Sequence, residues 1–130
     1  MSAMAFREPN EVLWRGYRPG HKGTQVTKRN AAVNATQIVH TVTTNKTLFL
    51  CFASFHYDDT AVNGYGTMLV RDASDVVQYY IFDLNMRAVG QIMNSGSFNP
   101  PIEIPAGWDI CVTSSLATGT ASGFIFGWEE

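Results

Sequence analysis

The clearest strand in this sequence is Ala121-Ser122-Gly123-Phe124-Ile125-Phe126-Gly127-Trp128. Bulky aromatic residues occupy every second position, and small residues or isoleucine lie between them. Successive side chains of a β-strand point to opposite faces of the sheet, so this spacing predicts a strand with one aromatic face. The alternation has a period of two residues and not the 3.6 residues of a helix, which indicates a β-protein.

A second segment, Leu48 to Phe55, is apolar on both faces. In a regular strand, Leu48, Leu50 and Phe52 lie on one face, and Phe49, Cys51 and Phe55 lie on the other. Val76 to Phe82 is similar. One face of such a strand meets solvent in a two-layer sandwich unless a loop, the N-terminal segment or another subunit covers it. We therefore expect a homo-oligomer, a trimer or ring, with these interface candidates: Trp14, Tyr17, Phe49, Phe55, Tyr79 and Ile81.

The rest of the chain from residue 24 is built from short β-branched and aromatic runs separated by turn residues. Breaks are predicted at Asn45-Lys46, Asn63-Gly64 and Asn99-Pro100-Pro101. The pattern predicts an all-β, antiparallel, jelly-roll-like β-sandwich of eight or nine strands. The candidate strands are 24–29, 36–44, 47–57, 67–71, 76–83, 87–93, 102–104, 109–115 and 121–128.

Residues 1–23 differ from the rest in composition, since prolines and glycines alternate there with aromatic residues. We expect an N-terminal arm over 1–23 and a single domain over 24–130; the competing interpretation is a first edge strand over Glu11 to Tyr17. Residues 1–46 carry a net charge of +5, and residues 47–130 carry −7. A basic leading segment on an acidic body can pair with its own body or with that of a neighbour.

Composition limits the function classes. The chain has 130 residues, 45% of them hydrophobic and 15% charged, which suits one domain with a buried core. Its net charge of −2 disfavours a nucleic-acid binder, which needs a basic excess. The start lacks the apolar run of a secretion signal, and no apolar run approaches the roughly 20 residues of a membrane span. Cys51 and Cys111 are expected to be buried thiols, and a bridge between them stays open.

Motifs for catalysis are missing from the sequence: it contains no GxSxG, HExxH or phosphate-binding loop. His56 and Asp58 would share a strand face, but no third metal ligand is visible nearby. We therefore predict no enzyme activity, no cofactor and no metal. The alternative function is a carbohydrate-binding module, with Trp108 or Tyr65 as the platform on which a sugar ring stacks.

The carboxyl-terminal third carries a family resemblance. Residues 100–115 contain Ile102-Glu103-Ile104-Pro105-Ala106-Gly107, a bend that leads into a strand ending in small polar residues, and residues 121–128 follow as a last strand with glycines. These segments resemble the final strands of small jelly-roll virion proteins of tailed bacteriophages. The resemblance implies a non-enzymatic decoration, head-fibre or neck and tail accessory protein, assembled in the host cytoplasm from several copies and in contact with other virion proteins. It assigns no functional residue.

Overall fold

The computed structural model describes residues 23–130, which contain eight strands. The strands are β1 (Thr24–Val33), β2 (Thr36–Thr41), β3 (Leu48–Asp59), β4 (Gly64–Arg71), β5 (Val77–Met86), β6 (Gly90–Ile104), β7 (Asp109–Ser114) and β8 (Gly119–Glu129). The described residues contain no helix, and therefore none that is long and apolar enough to cross a membrane.

The strands form two four-stranded antiparallel sheets. Sheet 1 has the order β1-β8-β3-β6, and sheet 2 has the order β2-β7-β4-β5. Each sheet thus takes strands from both halves of the chain, which is the double Greek-key arrangement of a jelly roll. The predicted antiparallel, jelly-roll-like β-sandwich is confirmed. The predicted arm, with Trp14 and Tyr17, lies outside the described residues except for Gly23.

The core lies between the sheets, and its packing depends on glycines in β8. Along β8, Gly123, Ile125 and Gly127 point inward while the aromatic residues point outward. A Cβ on Gly123 would lie 2.5 Å from the Met68 side chain and 2.6 Å from that of Val112, both in sheet 2. The inward-facing glycines of β8 therefore leave room for large side chains of sheet 2, as close packing requires.

A bulge in β3 corrects one sequence prediction. The pairing of β3 with β6 and β8 shifts register between Leu50 and Phe52, so the alternation of faces restarts after Cys51. Phe49 and Phe52 consequently share the outer face of sheet 1, and Phe55, which is 1% exposed, points into the core. The prediction that Phe55 shares an interface with Phe49 is wrong, because an extra residue reverses the faces of a strand.

Strand β6 corrects a second prediction. The sequence predicted two strands, 87–93 and 102–104, separated by Asn99-Pro100-Pro101, and the structure has one strand, Gly90–Ile104. Residues 98–101 form the irregular part, since Ile102 pairs with Leu50 and Ser97 pairs with Phe52. Prolines are accepted here because β6 is an edge strand, whose outer side needs no ladder hydrogen bonds.

Candidate interaction surfaces

The outer side of sheet 1 carries a cluster of aromatic side chains, which we call the aromatic face. It is formed by Phe49 and Phe52 of β3 and by Phe124, Phe126 and Trp128 of β8. The strand register places Phe52 opposite Phe126, and Phe49 opposite Trp128. All five side chains are half-buried, although they lie on the outside of the sandwich.

The aromatic side chains reach this burial by packing on one another. The Phe52 and Phe124 rings are 6.2 Å apart at 63°, and the Phe126 and Trp128 rings are 6.1 Å apart at 79°. These edge-to-face arrangements suit the charge distribution of aromatic rings. An apolar cluster of this kind on an outer face is a candidate interaction surface.

A groove of about 530 Å³ adjoins the aromatic face. It lies at the Phe124 end and is lined by Arg29 of β1, His56 of β3 and Met93 of β6, among others. The His56 imidazole contacts the Gln91 side chain, with 2.9 Å between Nε2 and Oε1. His56 and Asp58 do point to the same side of β3, as predicted, but no cluster of three metal-ligating side chains exists within residues 23–130.

The two sheets are joined at one end by Glu129, the last residue of β8. Its carboxylate accepts hydrogen bonds from the Thr43 backbone N–H at 3.0 Å and from the Thr43 hydroxyl at 2.6 Å, and its Oε2 lies 2.6 Å from His40 Nε2. Burial pushes the pKa of Glu129 upward, but the bonds to Thr43 and His40 outweigh burial and hold the pKa below its usual range. Glu129 is therefore a structural carboxylate.

A second buried carboxylate, Asp59, ends β3 at the opposite end of the sandwich. Its Oδ2 accepts a hydrogen bond from the Tyr57 hydroxyl at 2.5 Å, and its Oδ1 accepts one from the Thr118 hydroxyl at 2.7 Å and one from the Ala61 N–H at 2.8 Å. The bonds from Tyr57 and Thr118 lower the pKa of Asp59 despite burial. Because both of its carboxylate oxygens accept hydrogen bonds within the protein, Asp59 also has a structural role.

The outer side of sheet 2 carries a different surface, a groove of about 350 Å³. Tyr65 of β4 and Tyr80 of β5 line it, and the side chains are 48% and 55% exposed. The other predicted platform, Trp108, is half-buried, packs against the core and does not line this groove. Tyr80 did not stand out in the sequence because Tyr79 and Tyr80 are adjacent, and only the register of β5 shows which one faces outward.

The remaining interface candidates lie in β5. Tyr79 and Ile81 are half-buried and pack against the core residues. Burial raises the pKa of Tyr79. Of the interface candidates within the described residues, only Phe49 therefore belongs to the aromatic face.

The two cysteines, Cys51 and Cys111, lie in different sheets. Burial raises the pKa of Cys111 to about 11, which makes its thiol unreactive at neutral pH.

The fold and these surfaces define an antiparallel jelly-roll β-sandwich with an aromatic outer face. No protein-family model and no curated protein sequence matches the chain. Among solved structures, the chain is similar to a protein from a study entitled "Bacillus endospore appendages form a novel family of disulfide-linked pili". The two are 10% identical, the match covers 86% of this chain and 92% of that chain, and the TM-score is 0.39.

Proposed function

We propose that this protein is a non-enzymatic structural subunit that associates with copies of itself, as a decoration or head-tail accessory protein of a bacteriophage virion. The observation that carries the self-association is the aromatic face: five large rings on the outer side of sheet 1. The jelly-roll topology supports the viral assignment, since many viral capsid domains have this architecture, although lectins share it. The resemblance of residues 100–128 to phage virion proteins supports it as well.

In this proposal, the aromatic face binds residues 1–22 of a neighbouring copy. This segment supplies apolar and aromatic side chains, including Leu13, Trp14 and Tyr17. It has four basic and two acidic residues, whereas residues 23–130 have five basic and nine acidic residues. The net charges of +2 and −4 thus favour contact between the segment and a domain.

The strand register supports this choice of segment. Residues 1–22 lead into β1 through Gly23, and Gln25 of β1 pairs with Trp128 of β8. The segment therefore joins the domain at the Trp128 end of the aromatic face. A chain of 22 residues can span at most about 70–80 Å when extended, which is enough to reach an adjacent domain. Exchange of such segments in one direction around a closed circle produces a trimer or ring.

Solution mass tests the proposal. We expect the full chain to associate in size-exclusion chromatography with light scattering, and we expect two variants to be monomers: the chain without residues 1–22, and Phe126→Thr. Threonine suits a strand, so Phe126→Thr removes the ring without disturbing the sheet. Tyr80→Ser, on the other sheet, is the matched control and should associate like the wild type. Circular dichroism and thermal melting check that each variant is folded.

Mixing the two variants tests whether the segment of one chain binds the aromatic face of another. The chain without residues 1–22 retains an intact aromatic face, and Phe126→Thr retains the segment. If the segment binds a neighbour, the mixture forms a complex that neither variant forms alone. A full-length chain that is a monomer at every concentration, or a mixture that stays monomeric, contradicts the proposal. For the virion assignment, we expect mass spectrometry to detect the chain in virus particles purified from cells that make it, and its absence from such particles contradicts the assignment.

A further inference from the structure

The second surface, on sheet 2, has the chemistry of a ligand site. We propose that the groove between Tyr65 and Tyr80, which we call the tyrosine groove, binds a neutral carbohydrate. Its position is separate from the aromatic face, because the two lie on opposite outer sides of the sandwich. The site is therefore independent of the self-association proposed above.

The side chains of the tyrosine groove fit the two kinds of surface that a sugar ring presents. A pyranose has an apolar face of C–H groups, which stacks on an aromatic ring, and a rim of hydroxyls, which need both donors and acceptors. Tyr65 and Tyr80 supply exposed rings at the groove, and serine and threonine hydroxyls both donate and accept hydrogen bonds. Serine and threonine residues that line the groove are Thr36, Thr67, Thr113, Ser114 and Ser115, of which Ser114 already donates its hydroxyl to the carbonyls of Leu116 and Gly119.

The uncharged lining of the tyrosine groove disfavours charged ligands. Among the described residues that line the groove, none carries a charged side chain. A phosphate group or nucleic-acid backbone calls for lysine or arginine, and a cation calls for carboxylates, so neither is favoured here. A small number of polar groups beside aromatic rings is the usual composition of a small-molecule site. The ligand that fits is neutral and rich in hydroxyls.

The groove is held rigid by hydrogen bonds between its own residues. The Tyr65 N–H donates to the Ser115 hydroxyl at 2.8 Å, and the Ser115 N–H donates to the Tyr65 carbonyl at 3.0 Å. The Thr67 and Thr113 hydroxyls are hydrogen-bonded to each other across the paired strands β4 and β7. Since these groups are fixed before any ligand arrives, binding costs less conformational entropy than it would at a mobile surface.

Tyr80 reaches the tyrosine groove through the pairing of β5 with β4. Tyr80 of β5 pairs with Leu69 of β4, which is buried beneath the surface and lines the same groove. Leu69 and Tyr65 are four positions apart on β4, so both point to the outer side of sheet 2. The two tyrosines thus border one groove from different strands.

An array of neutral glycans containing glucose, galactose, mannose and N-acetylglucosamine tests the proposal on the full chain. We expect reproducible binding to at least one neutral glycan. In calorimetry with that glycan, Tyr65→Ala and Tyr80→Ala should each weaken binding about tenfold or more, whereas Tyr65→Phe, which keeps the ring, should bind nearly as the wild type. Phe126→Thr is the control on the opposite sheet, and its affinity per chain should not change.

Three outcomes would overturn the inference. One is an array without binding to any neutral glycan, and another is preference for sulfated or sialylated glycans alone. The third is binding that survives both tyrosine-to-alanine substitutions in variants with wild-type melting temperatures. None of these results affects the self-association, which is measured by solution mass and depends on the other sheet.

Discussion

At the level of single residues, Glu129 makes the clearest prediction. Its carboxylate accepts hydrogen bonds from Thr43 and lies beside His40, and the pKa of Glu129 in the folded protein is lower than its ordinary value of 4.5. The unfolded chain then holds the proton more tightly than the folded protein does. The stability from this group is therefore fully present above about pH 4.5 and is lost as the pH falls through the lower, folded pKa.

Glu129→Gln should destabilise the protein at neutral pH by about 1–3 kcal/mol, because charge-assisted bonds to Thr43 and His40 are weakened in a buried setting. The variant should also lose less stability than the wild type between neutral pH and pH 3. Urea unfolding at several pH values measures both effects. Glu130→Gln is the control, since Glu130 is exposed. Equal unfolding midpoints for the wild type and Glu129→Gln at every pH would show that this carboxylate contributes nothing.

At the level of strands, β8 depends on glycines at inward positions. A Cβ on Gly127 would collide with the backbone carbonyl oxygen of Phe49 in β3 and would lie 3.1 Å from the Leu50 Cα. A backbone cannot move aside as a side chain can. Gly127→Ala should therefore push β8 away from β3 and destabilise the fold by about 1–3 kcal/mol, the usual cost of overpacking.

Thermal or urea unfolding of Gly127→Ala measures this cost. Gly96→Ala is the matched control, because a Cβ on Gly96 of β6 would lie 3.6 Å from the nearest atom of Phe98, an ordinary contact. We expect the control to be close to the wild type in stability. If both substitutions have the same small effect, β3 and β8 are not in the close contact that the structure shows.

The comparison of strands with sequence shows what alternation can and cannot predict. Ala121 to Trp128 was predicted correctly because the segment lies in a regular strand, where every second residue faces the same side. The faces of Leu48 to Phe55 were predicted only in part, since the bulge at Cys51 moves Phe55 into the core. Cys51 is the extra residue opposite β8, and residues 98–101 of β6 lie across from the same bulge, so the bulge shows only against partner strands that are not visible in a single segment.

At the level of the whole molecule, sequence predicted the architecture better than the surfaces. Alternating strands and turn residues suffice to predict an antiparallel sandwich, because they reflect local geometry. The tyrosine groove was predicted only through Tyr65, since its other side comes from Tyr80 in β5 and from Thr113 in β7. Such a groove forms where strands that are distant in sequence become neighbours, and the sheet order decides which ones meet.

The salt dependence of association is a property of the whole molecule, because both an apolar surface and an uneven charge distribution contribute. Residues 1–22 carry a net charge of +2 and residues 23–130 carry −4, so their attraction should weaken with salt, whereas burial of the aromatic face should not. Between about 0.05 M and about 0.5 M salt, where the Debye length shortens roughly threefold, we expect the association constant to fall several-fold but association to persist. Light scattering over a concentration series at both salt levels measures it. Complete dissociation at high salt would mean that charge alone holds the copies together, and the aromatic face would then lose its assigned role.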